Sequence, residues 1–299
     1  MHGIGNVAHF PILSGAKVVQ LREFDAHACL KAIDKYRPSV LLATHELLLD
    51  IYEAATRTAM GSLKLLGSEG QGFSADSVQV IFLREFRAPN AFKQKLAALF
   101  QARLVELYGY TETGLVAGVI AECPALPDSV GLLCPNVTAR IVLDGRDLEA
   151  GQCGEILVKT PRLMMGYLGQ QGTNSLDDGF FRTGDFGTVT ESGVVVVKAR
   201  FQDVIRLESG YVTPGEIEEE VRSRLKVSDC SVIKVKRESG FDAPFVFVAR
   251  DGADGLDTSV AELIASFENM YPGIRGRLVD AIPRTTTGEV ARSELMSLL

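Results

Sequence analysis

Residues 107–114 read Leu-Tyr-Gly-Tyr-Thr-Glu-Thr-Gly and follow an apolar, strand-like run at 104–107. In open α/β sheets the carboxyl end of a strand is where ligands sit. Tyr108 offers a flat face for a base such as adenine, with Tyr110 beside it. Gly109 allows close backbone approach. Thr111 offers a hydroxyl to a phosphate, and Glu112 a hard oxygen ligand for Mg²⁺. The plain alternative for these residues is a tight turn with a capping threonine. A second candidate is Phe180-Phe181-Arg182-Thr183-Gly184-Asp185. A carboxylate such as Asp185 after a glycine turn accepts from ribose hydroxyls in other nucleotide sites, although Gly-Asp is also a common turn. A third runs from Ala199-Arg200-Phe201-Gln202-Asp203 to Gly210-Tyr211-Val212-Thr213-Pro214-Gly215-Glu216. It orders a basic residue, a strand, a glycine turn and a capped helix. The fourth, residues 283–292, reads Pro-Arg-Thr-Thr-Thr-Gly-Glu-Val-Ala-Arg.

The elements that must carry these residues alternate along the first part of the chain. Strands are expected at 18–21, 39–42, 78–83 and 104–107. Helices are expected at 25–36 with Asp25 as cap, at 46–60 and at 89–100. A β-α-β-α-β rhythm implies a parallel sheet with crossover helices. From about 121 to 198 short β runs (139–143, 155–159, 194–198) alternate with turns such as Asp144-Gly145 and Glu191-Ser192-Gly193. These imply a small β-barrel or antiparallel sheet. Beyond Arg200, Thr213, Pro214 and Glu216 supply three helix-start signals together. Ile217, Val221 and Leu225 give that helix its apolar stripe. Strands at 204–207, 232–235, 245–249 and 277–279 and a helix near 260–270 complete an α+β unit. The expected division is 1–201, part of a large α/β domain, and 202–299, a small α+β domain.

Composition narrows the classes. Of 299 residues 46% are hydrophobic and 23% charged, and the formal net charge is −7. That surplus argues against nucleic acid as the main partner. The five cysteines form no CxxC pair, which suits free thiols in a reducing cytoplasm. No HExxH pattern is present, no apolar run approaches membrane-spanning length, and the N-terminus reads without a charged leader.

Together, in this order and spacing, the motifs resemble the adenylate-forming superfamily: acyl-CoA synthetases, nonribosomal-peptide adenylation domains and luciferases. His2-Gly3-Ile4-Gly5, Arg87-Ala88-Pro89, Gly154-Glu155-Ile156 and Gly166-Tyr167 also match family signatures, so the resemblance runs over essentially the whole chain. It implies ATP-dependent activation of a small carboxylic acid as acyl-AMP. Transfer to CoA or to a carrier-protein pantetheine then follows, with the small domain rotating between the two steps. It implies Tyr108 on adenine, Thr111 at the α-phosphate, Glu112 on Mg²⁺, and Asp185 with Arg200 at the ribose. Gln202 would be the hinge, and Gly210 would line the thiol tunnel.

The sequence departs from the family at several points. Gln202 stands where Asp or Lys is usual, and Arg87 where a glycine usually faces adenine. The family's Lys-ending phosphate loop would lie upstream of residue 1, so a separate N-terminal fragment is an expected partner. The glycine-rich run 67–72 carries Glu69 instead of Lys and reads as a surface loop. Glu289 stands where the family's catalytic Lys bridges acid and phosphate. Inverting a charge there costs on the order of several kcal/mol at an effective dielectric of about 20. Two functional readings follow: an acid–thiol ligase, impaired at this position, or a non-catalytic relative that binds nucleotide, acyl-AMP or a partner. A third, an unstable remnant, is opposed by the intact capping signals.

Overall fold

The computed structural model describes residues 10–61, 76–84, 90–118, 129–169, 176–227, 229–250, 256–285 and 290–299. It divides into two compact units. The first comprises Met1–Ala139, Leu157–Phe181 and Val189–Val196, and the second Arg140–Ile156, Arg182–Thr188 and Val197–Leu299.

The first unit starts with a single turn, α1 (Phe10–Leu13), and helix α2 (Ala26–Tyr36). The Asp25 carboxylate accepts from Ala28 N at 2.6 Å, satisfying one free amide of the first turn of α2. Strand β1 (Val40–Thr44), helix α3 (His45–Gly61), strand β2 (Val80–Arg84), helix α4 (Asn90–Phe100) and strand β3 (Arg103–Tyr110) follow. β1 pairs with β2 and β2 with β3, both parallel, as the alternating pattern requires. Leu30 and Ile33 of α2, Leu48 and Ile51 of α3, and Leu96 of α4 are buried in one cluster with Ile81 and Leu83 of β2. Each such side chain contributes roughly 1.5–3 kcal/mol relative to exposure. β4 (Gly114–Gly118) returns antiparallel to β3, and β5 (Ser129–Leu133) pairs antiparallel with β4. The strand expected at 18–21 is not formed. Val18 and Val19 are exposed in irregular chain, because an apolar run becomes a strand only where a neighbour pairs with it.

β6 (Thr138–Leu143) and β7 (Arg146–Asp147) form a hairpin across Asp144 and Gly145, whose φ values of 50° and 75° suit a two-residue turn. β8 (Gly154–Lys159), β10 (Phe180–Val189) and β11 (Val194–Arg200) each contribute residues to both units, and β9 (Leu176–Asp177) pairs with the start of β10. In the first unit, the opening residues of β11 pair antiparallel with β5.

The second unit continues with a 3₁₀ turn (Phe201–Asp203), the hairpin β12 (Ile205–Leu207) and β13 (Gly210–Val212), and helix α5 (Pro214–Leu225). Then come β14 (Cys230–Lys236), β15 (Asp242–Ala249), α6 (Leu256–Phe267), β16 (Arg275–Val279) and α7 (Arg292–Ser297). α5 opens with a full capping box. Thr213 Oγ1 accepts from Glu216 N while the Glu216 carboxylate takes the Thr213 amide at 2.8 Å. The sheet order is β14-β15-β16, antiparallel then parallel. One core cluster joins Val232 and Val246 of this sheet with Ile217 and Val221 of α5 and Phe267 of α6. A second joins Ile233, Phe247 and Val279 with Leu295 of α7. Among the described residues no helix is long and apolar enough to cross a membrane.

Candidate functional site

In the first unit, the tip of the β3–β4 hairpin carries the candidate chemistry. β3 runs on through Tyr110, three residues beyond the expected strand end, and its pairing with β4 shifts register between Tyr108 and Gly109. The shift decides which tyrosine is covered. Tyr108 is 2% exposed and packs edge-on against Tyr110, centroids 5.8 Å apart. The Tyr108 ring is thus covered in this structure, and of the two tyrosines Tyr110 is the more open. Tyr110 is half-buried, and its ring also meets Phe181 at 6.2 Å. Gly109 does permit a close approach, but by the hairpin's own return strand. A Cβ built there would lie 2.2 Å from the Gly114 carbonyl oxygen.

Thr111 is exposed, whereas Thr113 is fully buried. Thr113 Oγ1 accepts from Tyr110 N at 3.2 Å and donates to the Gly114 carbonyl at 2.9 Å. The two threonines therefore divide the roles that sequence reading left open: Thr113 builds the turn, and Thr111 presents its hydroxyl. Glu112 is partly exposed. Its Oε1 accepts from the Tyr167 hydroxyl at 2.7 Å, and its carbonyl accepts from Met164 N at 2.7 Å. The hydrogen bond to the carboxylate, together with its charge, raises the Tyr167 phenol above its ordinary range. Gly166-Tyr167 stood out in the sequence, but nothing local tied it to a residue 55 positions away.

In the second unit, Asp185 lies in β10 with no exposed side-chain surface. Arg200 Nη1, at the end of β11, approaches its Oδ1 at 3.0 Å. The Asp185 amide donates to Thr183 Oγ1 at 3.1 Å, and that hydroxyl donates to the Ile156 carbonyl at 2.6 Å. Arg182 pairs with the buried Glu155. Gly184 adopts φ 69°, which only glycine takes without strain. The sequence expectation joined Asp185 with Arg200, and the two are in contact. Asp185 is, however, fully covered, while Arg200 keeps 42% of its side chain exposed. Phe186 packs near Phe201 and Tyr211, at 6.3 and 6.5 Å.

Gln202 is exposed in the 3₁₀ turn. Its neighbour Asp203 meets Arg292 at 3.3 Å. Gly210 adopts φ 136°, and a Cβ there would meet no atom within 4 Å, so its backbone borders open space. At the last motif, Ala291 N donates to the Pro283 carbonyl at 2.8 Å. Arg284 grips Asp229 with two bonds of 3.0 and 2.9 Å. Glu289 itself lies outside the described residues, as do His2–Gly5, the 67–72 run, Arg87-Ala88-Pro89 and residues 119–120.

No group of three or more His, Cys, Asp or Glu side chains suited to a metal occurs among the described residues. A structural cation cage is thus not formed by them. A single half-open carboxylate at Glu112 fits Mg²⁺ instead, which takes one or two carboxylates and completes its shell with phosphate oxygens and water.

A family model described as AMP-binding enzyme matches residues 1–168. The chain is 30% identical over 297 residues to 4-coumarate--CoA ligase-like 6 of Oryza sativa subsp. japonica, covering 95% of this chain and 47% of that protein. It is 28% identical to a probable CoA ligase, CCL5, of Humulus lupulus, covering 100% of this chain and 54% of that protein. The chain thus spans about half the length of the curated relatives it matches. Among solved structures, the amide bond synthetase McbA from Marinactinospora thermotolerans superposes with a TM-score of 0.74 at 26% identity, over 98% of this chain and 58% of that one. With a family match over more than half of its residues, and motifs and fold in accord with it, the chain belongs to the AMP-binding, adenylate-forming enzymes.

Proposed function

We propose that this chain takes part in ATP-dependent activation of a carboxylic acid as acyl-AMP, with transfer to the thiol of CoA or of a carrier-bound pantetheine. In the first step a carboxylate oxygen forms a bond to the α-phosphorus, and pyrophosphate departs with the electrons of the broken P–O bond. In the second, the thiol sulfur displaces AMP from the carbonyl. The observation that carries the reading is the hairpin tip. It places an exposed hydroxyl, Thr111, next to a half-open carboxylate, Glu112, whose orientation is already fixed. Thr111 is assigned to the α-phosphate and Glu112 to Mg²⁺, which supplies charge neutralisation between phosphates. Tyr110, backed by Tyr108, is assigned to the base, and Asp185 with Arg200 to the ribose. Residues 202–299 are read as the mobile domain, turning about Gln202, with Gly210 beside the thiol. The four described cysteines are free, which accords with a cytoplasmic setting.

The test is ATP–pyrophosphate exchange against a panel of aryl and fatty acids, with the chain alone and with a family N-terminal segment added. Acid-dependent exchange in either condition supports the ligase. Its absence in both favours the second reading, a non-catalytic nucleotide- or partner-binding relative. That reading is favoured by Glu289, since both arginines near the last motif are held in ion pairs. Gain of exchange by Glu289→Lys would place the block at this one charge.

A further inference from the structure

One segment, residues 160–168, holds the turn that carries Glu112, and it does so at three points. Arg162 Nη2 donates to the Leu115 carbonyl at 2.7 Å. Its side chain lies flush on the turn, since a Cβ at Gly114, where φ is 68°, would come within 3.1 Å of Arg162 Nε. Met164 N donates to the Glu112 carbonyl at 2.7 Å. These two contacts fix backbone. The third, from the Tyr167 hydroxyl to Glu112 Oε1 at 2.7 Å, reaches the carboxylate itself.

Apolar burial in the segment is limited to the half-buried Leu163 and Met164. Met165 and Leu168 are fully exposed, and Tyr167 is 42% exposed. Polar contacts with the turn hold it at three further points. The donor chosen for the carboxylate matters as well. A phenol is neutral, so it fixes the direction of Oε1 without offsetting the negative charge that a lysine or arginine would neutralise. The second oxygen keeps its lone pairs for an incoming cation.

We propose that Tyr167 is a positioning residue for Glu112. It orients the carboxylate toward the Mg²⁺ of a bound nucleotide from the outer shell. This rests on the reading of Glu112 given under the proposed function. Outer-shell partners of this kind typically change metal affinity by about 10–100-fold when removed.

The experiment titrates α,β-methylene-ATP into the full chain by calorimetry at rising Mg²⁺, for the wild type, Tyr167→Phe and Glu112→Gln. Tyr167→Phe is expected to need about tenfold more Mg²⁺ for half-maximal enhancement of binding. Its affinity for AMP without metal and its urea midpoint should stay at wild-type values, which a purely structural role would shift. Glu112→Gln should abolish the Mg²⁺ dependence. A Tyr167→Phe protein with wild-type Mg²⁺ dependence overturns the positioning role alone. A wild type that shows no Mg²⁺-coupled nucleotide binding removes the proposed role of Glu112, and this inference with it.

Discussion

Glu112 and Asp185 are both carboxylates that the sequence motifs single out, but they are held in opposite ways. Glu112 sits at a hairpin tip, partly in water, with a neutral phenol on one oxygen at 2.7 Å. Asp185 has no exposed side-chain surface and meets a guanidinium at 3.0 Å. The difference follows from solvation. A carboxylate withdrawn from water needs a counter-charge and hydrogen bonds to remain ionised. One that stays at the surface keeps its hydration and is free to exchange water for a cation. The first arrangement holds the carboxylate rigidly, and the second leaves a carboxylate oxygen open to solvent or a cation.

If that contrast is right, removing partners should have unequal effects. The largest effect is expected for Arg200→Ala, which removes the guanidinium beside the covered Asp185 carboxylate and should destabilise by about 1–3 kcal/mol. Asp185→Ala should cost less, because Arg200 is 42% exposed and its guanidinium can turn to water. Urea denaturation of both variants, at constant slope, measures the two. Equal losses would break the contrast. The smallest effect is expected for Glu112→Gln. A polar replacement at a partly exposed turn should fall within about 0.5 kcal/mol of wild type on the same urea curve. A loss above about 2 kcal/mol would make Glu112 a structural residue, contrary to the role given to it.

Local signals carried much of the architecture. Asp25 and the Thr213–Glu216 box mark helix starts within four residues, and both caps form where the sequence places them. The parallel pairing of β1 to β3 follows from strand–helix alternation alone. What the sequence hid depends on partners far along the chain. The 18–21 run looks like a strand but has none of the pairing that makes one. The unequal burial of Tyr108 and Tyr110 is hidden for a different reason. A register shift at Tyr108/Gly109 sets which ring turns inward, and strand alternation gives no warning of it. Gly109 announced a close approach correctly, yet the approaching group is the backbone of Gly114, which only pairing reveals. Burial of Asp185 and the grip of Tyr167 on Glu112 are likewise properties of assembled strands and loops.

The claim on which the account turns is that the hairpin tip and the Asp185–Arg200 pair both serve nucleotide binding. Calorimetric titration of the chain with AMP tests it directly, using the wild type, Tyr110→Ala from the first unit and Asp185→Asn from the second. Each substitution is expected to lower AMP affinity by about tenfold, near the 1.4 kcal/mol expected of one lost polar or stacking contact. A wild type that does not bind AMP, or binding that ignores either substitution while the fold is intact, would contradict it.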